Sequence, residues 1–194
     1  MDRLRTGVAL YNAGHYLAAH EPLESKWLEA PAGERDECLQ GLIQATAAVY
    51  KSQIGNHSGA AGLAMSAAEY LNSCEDLAVG ALVAWLEKLA GDPTLGERDE
   101  PPLLEIEGKA LGIYDLPPAE VVTAAEAVAE TDDDELLEKA SEYAELDLEN
   151  GRESTPFVTL TLDYLRDSSP VVRQRLKEHV ERRSTRESDV DGLF

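Results

Sequence analysis

The chain has 194 residues, of which 38 are acidic and 17 basic, giving a formal net charge of −21, and 43% are hydrophobic. That length suits one domain, or one domain with an extension, and can bury a sizeable core. The acidity argues against a nucleic-acid partner, because phosphate would be repelled over most of the surface. No apolar run reaches the roughly 18 residues that a membrane span needs, and no signal segment is visible, so the sequence reads as cytoplasmic with no membrane partner.

Hydrophobic residues recur at spacings of three and four nearly throughout, which predicts an all-α fold, a helical bundle of antiparallel helix hairpins with an acidic helical C-terminal extension. Helices are expected over 2–12, 16–29, 35–54, 58–73 and 77–90, making residues 1–90 the bundle. Gly91, Pro93, Gly96, Pro101, Pro102, Gly108, Gly112 and Pro117 mark 91–117 as a connector, with a short strand in the segment from Pro101 to Glu107. Pro118 fits the first position of a helix to about 130. The run Asp132-Asp133-Asp134-Glu135 caps a helix that Gly151 ends near 149. Thr155-Pro156 and Ser169-Pro170 start helices over 156–166 and 170–183, although the β-branched run from Phe157 to Leu162 also suits a strand. Residues 118–183 then form an extension packing on the bundle, and 184–194 a mobile tail.

Charge is unevenly spread. Residues 97–153 hold 19 acids and 4 bases, against 12 and 6 before them and 7 and 7 after them. Most of the excess therefore lies outside the first part, and a solvated surface explains it better than an acidic active site. Arginine outnumbers lysine by 11 to 6, a bias that fits a salt-rich, halophilic cytoplasm where charge repulsion is screened. Arg173, Arg175, Lys177, Arg182, Arg183 and Arg186 make the last helix basic, and it is expected to dock on the protein's own acidic middle. Cys38 and Cys74 show no C-x-x-C spacing and read as reduced and buried. Gly55-Asn56-His57-Ser58-Gly59 reads as a helix end followed by a new N-cap rather than a phosphate loop.

The stretch from Asn12 to Trp27 places ionisable groups where a helix should be apolar. At about 100° per residue, Tyr16, Leu17, His20, Leu23, Glu24, Trp27 and Leu28 share one side, with Glu21 at its margin. Ala18, Ala19, Pro22, Ser25, Lys26 and Glu29 take the other. His20 and Glu24 are thus predicted to point inward, where a carboxylate needs a partner. The next helix carries a polar line of Gln40, Gln44 and Lys51 between apolar and small faces. An antiparallel hairpin would let the two polar lines meet, with Lys51 and Gln44 near His20 and Glu21.

The run N-x-G-x-Y-x-x-x-H-E-x-x-E-x-x-W, followed by Gln40-Gly41-Leu42-Ile43-Gln44-Ala45 and Gly55-Asn56-His57-Ser58-Gly59-Ala60, resembles the domain of unknown function 309 family over the first seventy to ninety residues. The rest resembles extensions of halophilic archaeal members. The resemblance implies an all-helical bundle and no established activity; Lys51 stands where many relatives have His.

Three readings of the Tyr16, His20, Glu21, Glu24, Trp27, Gln40, Gln44 and Lys51 cluster follow. It is a buried structural network, a small-molecule pocket, or a metal site on His20 and Glu24, which lacks the second His of H-E-x-x-H. An enzyme, hydrolase-like, would use Glu21 or Glu24 as general base. No cofactor is indicated. A homodimer is a further expectation, since small helical bundles with Trp-bearing faces often pair.

Overall fold

A computed structural model describes residues 2–74 and 77–191. The chain divides into two compact units, one spanning Asp2–Asp115 and the other running from Leu116 onward.

The first unit contains α1 (Arg3–Asn12), α2 (Tyr16–Leu28), α3 (Glu37–Gln53), α4 (His57–Leu71) and α5 (Gly80–Gly91). Each helix packs on its successor, so the unit is a run of antiparallel hairpins. Local chemistry starts three of them. Asp2 accepts from the Leu4 and Arg5 amides, Asp36 from those of Cys38 and Leu39, and Asn56 from that of Gly59. Gly55, at φ 74°, supplies the left-handed residue between α3 and α4, so the Gly55–Gly59 run is a helix end followed by an N-cap. Proline at position 22 does not delay α2, which runs through it. The core is aliphatic, with Leu10, Leu23, Leu42, Leu71, Leu86 and Leu89 fully buried.

Two glycines set how closely these helices approach. A Cβ on Gly7 of α1 would lie 2.5 Å from Leu23 Cγ and 3.3 Å from the Ala19 carbonyl of α2. On Gly41 of α3 it would lie 2.8 Å from Leu71 Cγ and 3.0 Å from the Leu71 backbone nitrogen of α4.

The residues read as a connector belong largely to this unit. They form a turn at Leu95–Glu97 and a two-stranded antiparallel hairpin, β1 (Glu105–Ile106) and β2 (Lys109–Ala110), pairing Glu105 with Ala110 and Ile106 with Lys109. Its two turn residues, Glu107 and Gly108, have φ 54° and 77°, the left-handed pair that a tight hairpin demands.

Cys38 and Cys74 correct the sequence reading. They are half-exposed rather than buried, and they are joined in a disulfide, with Cα atoms 5.1 Å apart. Antiparallel packing of α3 on α4 brings the first turn of one helix beside the residues following the other. Cysteine spacing along the chain carries no trace of that proximity.

The second unit contains α6 (Pro118–Asp132), α7 (Glu135–Glu149), α8 (Pro156–Arg166) and α9 (Pro170–Asp191). Val122, Tyr143, Ala144, Phe157 and Val158 form its core. The β-branched run from Phe157 is helical, because Thr155 caps the Val158 amide and Pro156 takes the first helical position. Helix α9 continues to Asp191, past the end expected at 183, so residues 184–191 are helical rather than tail. As expected, its arginines meet the acidic middle. Arg173 Nη1 lies 2.6 Å from Asp134 Oδ2, and Arg183 Nη1 lies 2.9 Å from Asp147 Oδ1.

Asp134 does two jobs. It caps α7 through the Leu136 and Leu137 amides and receives the Tyr164 hydroxyl at 2.5 Å. Burial opposes its ionisation, but Arg173 and Tyr164 outweigh burial and hold its carboxyl below the usual range. Burial, with this carboxylate as acceptor, pushes the Tyr164 hydroxyl up to about 12.

Gly41→Ala should destabilise the protein, since overpacking costs about 1–3 kcal/mol and exceeds the ~0.5–1 kcal/mol gained by replacing a helical glycine. A lower thermal midpoint with unchanged far-ultraviolet circular dichroism is the expected result. Asp134 has a depressed folded pKa, so its stabilisation is present above the unfolded value near 3.9 and is lost as pH falls through the folded one. Urea midpoints measured from pH 7 down to about pH 3 should therefore fall less steeply in Arg173→Ala than in the parent chain.

Candidate functional site

The motif helix α2 is buried on a different face from the one its hydropathy predicts. Tyr16, Ala18, Ala19, Pro22 and Leu23 are buried, whereas Glu21, Glu24 and Leu28 are exposed. The buried face is turned by about a third of a rotation relative to expectation. At Gly7 the Leu23 side chain and the Ala19 carbonyl come close against α1, and Ala18, Ala19 and Pro22 are buried on the same helix.

The inward polar network therefore does not form. His20 and Glu24 have side chains 33% and 50% exposed, and they meet each other, with Nδ1 3.9 Å from Oε2. Glu21 accepts from Ser25 one turn on, at 2.9 Å. Lys51 lies along the first turn of α4, its Cδ 2.8 Å from where a Cβ on Gly59 would be, and it has no carboxylate partner among the described residues. Gln40 is half-buried. Gln44 is half-buried too, and its Oε1 is enclosed with no hydrogen-bond partner. Trp27 is half-buried beneath the Arg35 guanidinium, 4.2 Å from the ring centroid.

Tyr16 alone of the eight is buried, with its ring edge-on to Tyr11 at 5.3 Å. Burial, then the nearby Glu100, raises its hydroxyl pKa. His20 and Glu24 offer a metal two donors, and among the described residues no three His, Cys, Asp or Glu side chains are grouped to hold an ion. Exposure of Glu21 and Glu24 removes the burial on which the general-base reading depended.

Asn12, the first residue of the motif, has a role that the sequence does not reveal. Its Nδ2 donates to the Leu104 and Leu111 carbonyls, both at 2.8 Å, and its Oδ1 accepts from the Leu104 amide at 2.8 Å. Tyr11 beside it donates to the Pro102 carbonyl. Asn12 thus clasps both sides of the 104–111 segment. Its partners lie about ninety positions away, beyond any local pattern. The pair of His57 with Glu97, at 2.6 Å, was hidden for the same reason.

That clasp positions a cleft which the motif alone does not announce. About 560 Å³ in volume, it opens beside the Cys38–Cys74 bridge, between the starts of α1 and α3, the residues after α4 and the β1–β2 turn. Leu4, Leu39, Leu77 and Ile106 give it apolar walls. Three of its polar groups are committed elsewhere: Asp36 caps α3, Lys26 binds Glu29 at 2.7 Å, and Ser73 donates to the Tyr70 carbonyl. Glu107 is exposed and has no partner among the described residues.

Comparison with known proteins covers part of the first unit. The profile of a family described as "Domain of unknown function (DUF309)" matches residues 4–63, which contain α1 to α3 and the first part of α4. A protein of Aquifex aeolicus (strain VF5), described as "Uncharacterized protein", is 30% identical over 103 residues. The aligned part is 51% of this chain and 31% of that relative, so the chain spans under a third of the relative's length. No solved structure matches. Among the described residues no helix is long and apolar enough to cross a membrane.

The motif thus splits into residues that hold the frame and residues that face solvent. Asn12→Ala should cost about 1–3 kcal/mol, because it strands backbone groups that its amide satisfies. Glu24→Gln should change stability by no more than about 0.5 kcal/mol, as exposed substitutions do. Equilibrium urea unfolding of the two variants distinguishes them.

Proposed function

We propose that the first unit is a binding module for a small amphipathic molecule, and that its site is the cleft beside Cys38 and Cys74. One observation carries this reading: a cavity of about 560 Å³ with aliphatic walls and a single uncommitted charged group. Ligand sites commonly measure about 300–1,000 Å³ and combine apolar walls with a few orienting polar groups. Leu4, Leu39, Leu77 and Ile106 would take an apolar body, and Glu107 would take a cationic or hydrogen-bond-donating end. The motif helices serve as the frame, with Asn12 holding the hairpin that carries Ile106 and Glu107.

Nile red, a neutral apolar dye, should bind the intact chain saturably and be displaced by short alkylamines more readily than by the matching alkyl carboxylates. Ile106→Asp should weaken dye binding at least tenfold while circular dichroism stays helical, and Glu107→Gln should erase the preference for amines. Unsaturable dye uptake, or uptake unaffected by Ile106→Asp, would overturn the reading.

A further inference from the structure

A second cavity, in the other unit, inverts the charge of the molecule around it. It measures about 460 Å³ and lies where the end of α7, the start of α8 and the later half of α9 come together. Arg152, Arg182, Arg183 and Arg186 line it with His179, over the ring of Phe157. In a chain with 38 acidic side chains and a net charge of −21, Asp147 is the only carboxylate among the described residues that line this cavity.

Asp147 is spent on the frame. It is buried, and it accepts from Arg152 Nη2 at 2.7 Å and Arg183 Nη1 at 2.9 Å. Arg183 is spent as well. It stacks over Tyr143 with 4.3 Å to the ring centroid, donates to the Tyr143 carbonyl and pairs with Glu187 at 3.1 Å. These contacts hold the Phe157 floor and fix where the remaining cations stand.

The other arginines are not so occupied. Arg186 has no partner among the described residues. Arg182 directs Nε to the Glu178 carbonyl and approaches the Glu178 carboxylate only at 4.0 Å. Arg152 is 57% exposed and keeps donors beyond the one that Asp147 uses. His179 stands edge-on to Phe157, 6.2 Å between centroids. Burial, then Arg182, lowers its pKa, with Glu178 opposing. Guanidinium groups converging on one cavity repel each other, and a multiply charged anion relieves that repulsion through bidentate hydrogen bonds. The acidity of the rest of the chain is no bar, because charges beyond about 8–10 Å are screened at ordinary ionic strength.

We propose that this cavity is a binding site for a small phosphorylated molecule, its phosphate groups held by Arg152, Arg182 and Arg186 above the Asp147–Arg183 frame. The site is separate from the cleft of the first unit and does not depend on that cleft's having a ligand.

Isothermal titration of the full chain with pyrophosphate, at constant ionic strength set with potassium chloride, tests it. One site per chain is expected, with orthophosphate binding more weakly. Arg186→Gln and Arg182→Gln should each weaken pyrophosphate at least tenfold. Lys177→Gln, the same loss of charge on the same helix away from the cavity, should leave affinity within twofold. Both arginines are largely exposed, and a thermal melt of each variant confirms that it folds. Three results would overturn the proposal: no saturable pyrophosphate binding at constant ionic strength, an equal loss in Lys177→Gln, or a single-stranded oligonucleotide that outcompetes pyrophosphate at equal phosphate concentration.

Discussion

Close approach of α1 and α2 through Gly7 decides what the motif can do. Leu23 occupies the space that a side chain at position 7 would fill, and the Ala19 carbonyl sits just behind it. Once that contact forms, Ala18, Ala19 and Pro22 must face inward, and His20, Glu21 and Glu24 must turn outward. Burying Leu23 completely stabilises the unit by about 1.5–3 kcal/mol. Burying Glu24 instead would cost several kcal/mol without a partner. The backbone approach and the solvation of the carboxylates therefore favour the same rotation of the helix.

The same contact explains which parts of the fold were legible in the chain. Helix positions were readable because their signals are local: Asp36 and Asn56 cap the turns they precede, and Thr155-Pro156 opens α8 even though its next residues favour strands. The orientation of α2 was not readable. A hydropathy wheel weighs Trp27 and Leu28 as core residues, yet it cannot register that glycine on a neighbouring helix leaves room for Leu23 and lets the Ala19 carbonyl come close. Leu28 is accordingly 52% exposed. The disulfide and the Asn12 clasp were equally hidden, because both join residues that only the assembled hairpins bring together.

Charge follows a comparable division. The acidic excess of the middle segment faces solvent over much of its length, but Asp134 and Asp147 are drawn inward and answered by arginines of α9. Those two carboxylates act as anchors. They pin α9 at both ends of α7, and the cations left over converge on one cavity. The basic character of the last helix, visible in the sequence, thus divides between holding the second unit together and leaving a localised positive field within an acidic protein.

The covalent link between Cys38 and Cys74 encloses α4 and nearly all of α3 in a single ring. Cleavage of any one peptide bond inside that ring, in the exposed Gly55–Asn56 turn for example, leaves both halves tethered. A nicked chain would run as one species on a denaturing gel until thiol was added, and the helices on either side of the cut would stay near enough to reassemble.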